Sequence, residues 1–216
     1  MVSLKKGLLI AIEGIDGSGK STLAHNLFTH LHCKQYDALL TKEPGDTEIG
    51  KKIRELVQTQ SIPLSSKTEY LLFAADRAQH FSEIIAPALA QKKIILSDRL
   101  SDSSLAYQGY GRGLELEQLT QINKWAMNDT APDLTIFVRI PVDSALKRIA
   151  QRRALSAFEK EKAFLDRVAN GFEMLYKNRT DVIVIDGTQS IESVTTQAHI
   201  ALEEYIHTLK LIAHAD

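Results

Sequence analysis

The stretch GLLIAIEGIDGSGKST, residues 7–22, decides the fold class of this chain. Its first half, Gly7 to Ile12, is a continuous apolar run, which is typical of a strand buried on both faces of a sheet. Its second half, Gly14 to Ser21, matches the pattern G-x-x-x-x-G-K-[ST] in full. Apolar residues recur at helical spacing from Leu23 onward. The order of strand, glycine-rich turn and helix predicts a phosphate-binding loop.

Such a loop binds phosphate because glycines let several backbone N–H groups point at one anion, assisted by the helix N-terminus. We expect Lys20 to neutralise charge on the β- and γ-phosphates and the Ser21 hydroxyl to bind Mg²⁺. A glycine-rich turn without a ligand is the alternative, which the motif and its context disfavour. The residues expected to contact ATP here are Gly14, Ile15, Asp16, Gly17, Ser18, Gly19, Lys20, Ser21 and Thr22.

Four further apolar runs have the length of buried strands, and amphipathic segments separate them. Alternation of this kind indicates parallel βαβ units, so we predict an α/β fold with a five-stranded parallel sheet flanked by helices. In such sheets, ligands bind at the carboxyl ends of the strands. The four runs are Ala38–Thr41, Lys92–Asp98, Leu134–Arg139 and Asp181–Asp186.

Two of the intervening helices have recognisable starts. Apolar residues from Ile49 to Val57 mark one helix, for which Thr47 is a plausible cap. The capping-box pattern Ser66-x-x-Glu69 opens the next helix, which is predicted to run through Phe73 and Arg77.

Composition bounds the class of protein. The 216 residues are 44% hydrophobic and 25% charged with a formal net charge of −1, so we expect neither a nucleic-acid nor a membrane partner. Without repeats or a Pro/Gly-rich linker, one domain over 1–216 is the simplest interpretation. Cys33 is the only cysteine, and the first apolar run ends at Glu13, so a cytoplasmic protein is expected.

Four segments, taken together, resemble the thymidylate kinases. A lid-like segment and a late DGTQ extend the resemblance over nearly the whole chain. Within the family, the chain resembles the bacterial-type subgroup. It implies a P-loop nucleoside-monophosphate kinase fold with a lid over about 147–167. It also implies phosphorylation of dTMP to dTDP by ATP and Mg²⁺, for dTTP biosynthesis, in a homodimer. The segments are IEGIDGSGKST, KEPGDTEIGKKIRELV from Lys42, LLFAADRAQH from Leu71 and SDRLSDSSLAYQGYGRGL from Ser97.

Phe73 and Arg77 are the candidate base-binding pair. They are four residues apart on a predicted helix and therefore share a face. An aromatic plane beside a guanidinium can stack a base and hydrogen-bond its carbonyl edge. In the family, the matching positions hold the thymine ring. From spacing alone, a core Phe73 and a solvated ion pair at Arg77 stay open.

Other acceptor contacts follow from the resemblance. It implies that Arg99 binds the monophosphate, that Tyr107 excludes a 2′-hydroxyl, and that Asp16 bonds the 3′-hydroxyl and helps to place Mg²⁺. A strand-end ion pair, ordinary packing and an Asx turn are the respective structural alternatives. Glu13 either pairs with a site arginine or has a buried structural role. The resemblance also places Glu43, Pro44, Ser104 and Gln108 at dTMP, and Asp98, Ser21 and Asp16 at the metal.

The lid would supply further positive charge. Arg148 and Arg152 are four residues apart, and one well-placed arginine contributes about 10³–10⁵ in rate. A solvated charged face is the alternative. With Lys20 and Arg99, these two arginines are the predicted catalytic residues. Thr188 and Gln189 match the loop on which the adenine of ATP rests in the family.

Three departures from the family pattern put acceptor affinity in doubt rather than reaction type. Lys42 stands where arginine is usual and Leu100 where tyrosine is frequent. Asp46 replaces a glycine, which would alter the turn or bring a carboxylate near the acceptor phosphate. The competing functions are another P-loop small-molecule or nucleoside-monophosphate kinase and a non-catalytic nucleotide-binding module. The chain lacks the Asn-Lys-x-Asp motif of GTPases and any zinc-binding pattern.

Overall fold

The computed structural model describes residues 2, 4–58, 63–151 and 158–208. Within these ranges one sheet contains five parallel strands in the order β2-β3-β1-β4-β5. This confirms the predicted fold class, and each strand overlaps the apolar run that predicted it. The strands are β1 (Leu8–Glu13), β2 (Ala38–Lys42), β3 (Ile94–Asp98), β4 (Leu134–Arg139) and β5 (Val182–Asp186).

Helices cover both faces of this sheet. A π-helical segment, Phe81–Ile85, joins α3 to α4, and a second, Leu105–Gly111, continues α5. We call the latter continuous element the 101–111 helix. The α-helices are α1 (Lys20–Cys33), α2 (Glu48–Gln58), α3 (Ser66–His80), α4 (Ala86–Ala90), α5 (Ser101–Ser104), α6 (Leu116–Ala126), α7 (Val142–Ala150), α8 (Phe158–Tyr176) and α9 (Ile191–Thr208).

The central strand β1 is apolar from Leu8 to Ile12 because both of its faces are covered. Leu8, Ile10 and Ile12 pack against α1 and α9, whereas Leu9 and Ala11 point to the opposite face, toward the segment that joins α3 to α4. Every residue of β1 is buried. Full burial of one such Leu or Ile side chain contributes about 1.5–3 kcal/mol, so β1 anchors the loop that follows it.

Helix starts correct one prediction and confirm another. The cap of α3 is Ser65, whose Oγ accepts a hydrogen bond from Thr68 N at 3.2 Å, so the predicted box beginning at Ser66 is wrong by one residue. Glu69 is consequently free of the cap and faces another helix. Thr47 does cap α2, because its Oγ1 accepts from Gly50 N at 3.0 Å.

The register of the strands brings the polar residues at their carboxyl ends to one edge of the sheet. Asp98 of β3 lies opposite both Ile12 of β1 and Lys42 of β2. None of the helices in the described ranges combines the length and apolar composition needed to cross a bilayer. The edge formed by the carboxyl ends of β1, β2 and β3 is therefore where the candidate site is built.

Candidate active site

The phosphate loop lies between β1 and α1, in the middle of the sheet. Gly17 and Gly19 have φ values of 82° and 98°, a region that side chains other than glycine rarely adopt. A Cβ atom on Gly17 would also lie 2.6 Å from Ala145 O. Gly19 caps α1 without any side-chain hydrogen bond. The first N–H groups of α1 are thus available to an anion.

Lys20 is the buried cation of this loop, only 6% exposed. Its Nζ lies 3.6 Å from Asp16 Oδ1. Burial, together with the nearby Arg99 guanidinium, lowers the pKa of Lys20. Ser21 and Thr22 are exposed on the first turn of α1. An anion bound at the loop would meet Lys20 and the Ser21 hydroxyl from the same side as the helix N-terminus.

A cleft of about 190 Å³ opens beside the loop. Arg148 borders it and joins its two walls, since Nη1 donates to Ser18 O at 3.2 Å and Nη2 donates to Gly187 O at 2.8 Å. Gln189 lines the cleft, whereas exposed Thr188 donates to Asp186 Oδ1. The remaining lining residues include Gly17, Gly19, Thr22, Ile191, Val194 and Thr195. Arg152 lies outside the described residues.

Arg99 sits beside the phosphate loop at the end of β3. Its Nη2 donates to Asp16 Oδ1 at 2.6 Å and its Nη1 to Ser103 Oγ at 2.8 Å. Tyr107 joins the same cluster, because its hydroxyl accepts from Asp16 N at 2.9 Å. The Asp16 side chain is 55% exposed, and its partial desolvation opposes ionisation, but Arg99 and Lys20 outweigh this and hold the pKa of Asp16 well below its usual range. Arg99 has a φ of 76°, a strained conformation that is common at functional sites.

Glu13 fixes the turn that carries Arg99. Its Oε1 accepts from Leu100 N at 2.8 Å and its Oε2 accepts from Ser103 Oγ at 2.5 Å. Within the described ranges it makes no ion pair closer than 4 Å, so the structural role is the one observed. Burial raises the pKa of Glu13 to about 7.

Asp98 is the side chain best suited to Mg²⁺. Its Oδ1 is buried and has no hydrogen-bond partner in the described part of the chain. Among the described residues, no group of three or more His, Cys, Asp or Glu side chains is arranged to hold a metal ion. Mg²⁺ is usually bound by one or two carboxylates together with phosphates and water. Asp98 and Ser21 fit that arrangement, whereas Asp16 is occupied by Arg99.

Phe73 and Arg77 both lie on α3, as predicted. The Arg77 side chain is 3% exposed and Nε donates to Glu43 Oε2 at 2.9 Å. Arg77 is therefore a buried ion pair rather than a solvated one, while Phe73 is half-buried and belongs to none of the described apolar clusters. The other guanidinium contacts are Nη1 to Asn123 Oδ1 at 2.7 Å, Nη2 to Ser104 Oγ at 3.0 Å and Nη2 to Leu100 O at 3.4 Å.

The remaining predicted acceptor residues surround this pair. Gln108 Nε2 donates to Glu69 Oε1 at 2.9 Å, on the helix that also carries Ser104 and Tyr107. Glu43 Oε1 lies 3.0 Å from His80 Nδ1. Pro44 O accepts from Arg54 Nη1 at 2.8 Å. Whether these groups touch a ligand stays a prediction.

The three departures have different environments. Asp46 Oδ2 accepts from Thr41 Oγ1 at 2.6 Å, at the end of β2. Lys42 is exposed, and Leu100 is 1% exposed in the apolar cluster that also contains residues of β1, of β3 and of the segment joining α3 to α4. The backbone oxygen of Leu100 accepts from Arg77, and Thr41 connects Asp46 to His80.

Several residues of the site escaped sequence reasoning. Asn123 binds Arg77 across a separation of 46 residues, His80 contacts both Thr41 and Glu43, and Glu69 orients Gln108. No local pattern marks Asn123. For Glu69, the only indication in the sequence of a place in the site was its position one turn before Phe73, on the same helix face.

The chain is similar in sequence to several known proteins. The thymidylate kinase family model matches residues 12–198. A thymidylate kinase of Kosmotoga olearia is 40% identical over 209 residues, which cover 96% of this chain and 99% of the relative. A thymidylate kinase of Finegoldia magna is 43% identical over 192 residues, with 88% and 95% covered. A probable thymidylate kinase of Pyrococcus horikoshii is 42% identical over 193 residues, with 88% and 92% covered.

These matches run through the phosphate loop, the Glu43 turn, the Phe73 helix and the strand end at Arg99. The five-stranded parallel sheet flanked by helices is consistent with the fold of this family. The chain belongs to the thymidylate kinase family.

Proposed function

We propose that this protein transfers the γ-phosphoryl group of ATP onto dTMP, forming dTDP for dTTP biosynthesis. The observation that carries the proposal is the contact between the phosphate loop and Arg99, through Asp16, at 2.6 Å. A triphosphate on the loop and a monophosphate at Arg99 would meet at this junction. Family membership and about 40% identity to curated thymidylate kinases support the choice of acceptor.

Catalysis in this site is positioning and charge neutralisation. The acceptor phosphate oxygen is already anionic, so no general base is needed. Lys20 and Arg148 would neutralise the transferring phosphoryl group, and Arg99 would hold the acceptor phosphate after leaving Asp16. Mg²⁺, held by Asp98 and Ser21 with the phosphates, would supply further neutralisation at the β- and γ-oxygens.

Acceptor recognition would use the groups around α3. A guanidinium has five N–H donors, and the contacts above occupy Nε, one N–H of Nη1 and both of Nη2. One Nη1 donor is left for a base carbonyl, beside the half-buried ring of Phe73. Tyr107 and Asp16 would border the sugar. The remaining contacts proposed for dTMP are Glu43, Pro44, Ser104 and Gln108.

A lid over about 147–167 would complete the single domain, 1–216. Arg148 already contacts the phosphate loop at Ser18 O. Arg152, four residues later in the sequence, would add positive charge as the lid closes. Closure would exclude water, which otherwise competes for the phosphoryl group.

We also propose a homodimer formed through α2 and α3. Ile49, Leu56 and Leu71 are 51%, 48% and 55% exposed on these two packed helices. Exposed apolar side chains on neighbouring helices are typical of an interaction surface. A cytoplasmic location accords with the use of ATP and with a single cysteine.

The proposal is tested by comparing acceptors. Purified protein with ATP and Mg²⁺ should release ADP rapidly on addition of dTMP and far more slowly with dCMP, AMP or UMP. Phosphoryl transfer to dTMP should be confirmed by detecting dTDP. Equal rates with all four monophosphates would overturn the assignment of dTMP.

A substitution at Arg77 tests its proposed role in binding the acceptor. Arg77→Ala would remove the guanidinium partner of the buried Glu43 carboxylate, and breaking a buried ion pair costs about 3–5 kcal/mol, which confuses binding with folding. Arg77→Lys keeps the charge but loses the planar fork. We expect the KM for dTMP to rise at least about tenfold, the cost of one buried hydrogen bond, while the Kd of ATP stays unchanged. A loss of ATP binding instead would mean that Arg77 serves the donor side.

A further inference from the structure

Two polar bridges connect α3 to the 101–111 helix. Glu69, Phe73 and Arg77 lie at successive four-residue steps of α3, so they share one face. Ser104 and Gln108 are spaced in the same way on the facing helix. Arg77 binds Ser104 at 3.0 Å and Gln108 binds Glu69 at 2.9 Å. Phe73 therefore lies between a guanidinium bridge on one side and an amide bridge on the other.

The amide bridge fixes which atom of Gln108 remains available. An ionised carboxylate can only accept hydrogen bonds, so Gln108 must turn its NH₂ group toward Glu69. Its carbonyl Oε1 then points away from Glu69. Glu69 is itself held in place, because Arg112 Nη2 donates to its Oε2 at 3.1 Å.

The Gln108 Oε1 atom is open to a ligand. Gln108 is only 4% exposed, and across the described ranges its Oε1 accepts no hydrogen bond. In the described part of the chain, Gln108 Oε1 is not one of the polar atoms that are both fully buried and without a hydrogen-bond partner. The small exposed part of Gln108 thus includes a hydrogen-bond acceptor.

We propose that Glu69 is a specificity-positioning residue: by holding the Gln108 amide, it presents an acceptor to the base and selects rings with N–H at ring position 3. Thymine has a donor at this position, whereas cytosine has a lone pair that would face Oε1. The inference rests on the proposed function and deepens it. A site built to bond one N–H strongly rejects a ring that lacks it, because a buried polar atom is then left unpaired.

The test compares dTMP with 5-methyl-dCMP, which differs from dTMP only at ring positions 3 and 4. In Glu69→Gln the new amide can donate or accept, so the Gln108 amide is free to turn over. We expect the ratio of kcat/KM for dTMP over 5-methyl-dCMP to fall at least about tenfold, the value of one hydrogen bond. The KM for dTMP should rise, while kcat and the KM for ATP remain close to wild type.

Glu83→Gln is the matched control, since Glu83 also orients a glutamine, accepting from Gln79 Nε2 at 2.8 Å on an exposed surface. It should leave the ratio unchanged. The exchange variant Glu69→Gln/Gln108→Glu restores an acceptor toward the base and should recover part of the preference for dTMP. Recovery would exclude a general loss of structure.

The outcomes are distinct. A wild-type protein that does not phosphorylate dTMP would overturn the proposed function and this inference together. A wild type selective for dTMP whose ratio is unaffected by Glu69→Gln would overturn the inference alone. A uniform fall in kcat for both acceptors would also overturn it, because that result indicates a structural role.

Discussion

At the residue scale, Asp16 is the point at which the two halves of the site meet. Its carboxylate binds Arg99 at 2.6 Å and lies 3.6 Å from Lys20. A buried charge without a partner costs several kcal/mol, so Asp16 stabilises the two cations while no phosphate is present. In the proposed function, an acceptor phosphate would compete with Asp16 for Arg99. This exchange would couple the acceptor phosphate to the phosphate loop.

Glu13 makes the stability of the ligand-free protein depend on pH. Burial raises its pKa from 4.5 to about 7, so between these values the folded protein holds a proton that the unfolded chain releases. The stabilisation is present below about 4.5 and is lost as the pH rises through 7. The separation of the two pKa values corresponds to about 3 kcal/mol.

Glu13→Gln removes this dependence. Urea unfolding of both proteins at pH 5 and pH 8 should show the variant gaining up to about 3 kcal/mol relative to wild type at the higher pH. Asp76, whose pKa burial raises to about 6, contributes equally in both proteins and cancels. A difference in stability that is the same at both pH values would contradict the assignment of the shift to Glu13.

At the element scale, α3 shows how a helix start is decided by geometry. Ser65 accepts from Thr68 N at 3.2 Å, whereas Ser66 is already the first residue of the helix. We expect Ser65→Ala to lower the free energy of unfolding by about 1 kcal/mol, with a fall in Tm of about 2–4 °C. Ser66→Ala, the neighbouring control, should stay within about 0.5 kcal/mol. The opposite ranking by thermal denaturation would restore the cap to Ser66.

The same helix is unusual in the face that it buries. Asp76, Arg77 and His80 are buried on α3, although Asp and Arg side chains are mostly exposed in proteins. Each has a partner outside the helix: Asp76 accepts from Gly45 N, Arg77 donates to Glu43, and His80 lies 2.6 Å from Thr41 Oγ1. A pattern of apolar residues alone cannot identify this face, because polar groups with partners are buried there.

At the scale of the whole molecule, the apolar face of α2 and α3 predicts the oligomeric state. Leu71 is 55% exposed, close to the 52% of Met174 on α8. Leu71→Glu should convert the proposed dimer to a monomer, because a charge at an apolar interface must be desolvated. Met174→Glu, at matched exposure on a different helix, should leave the dimer intact. Light scattering after size-exclusion chromatography distinguishes the two, and a wild type that elutes as a monomer would contradict the dimer.

Much of the architecture could be predicted from the sequence because its determinants are local. The apolar run before Glu13, the glycines of the loop and the lysine at position 20 act within a few residues of one another. The predicted strand and loop are both present. The five strands follow from the same local pattern, and their parallel direction follows from the alternation of strands with helices.

Tertiary structure alone decided which charges are paired and which face of a helix is covered. Two of the partners of Arg77, Glu43 and Asn123, are 34 and 46 residues away, and Glu13 binds the turn that carries Arg99 across 87 and 90 residues. Ile49 and Leu56 have the spacing of a buried stripe, yet they are exposed on α2. Local propensity governs only neighbouring residues. Pairing between distant residues depends on how the sheet brings their elements together, and that information appears only once the chain is folded.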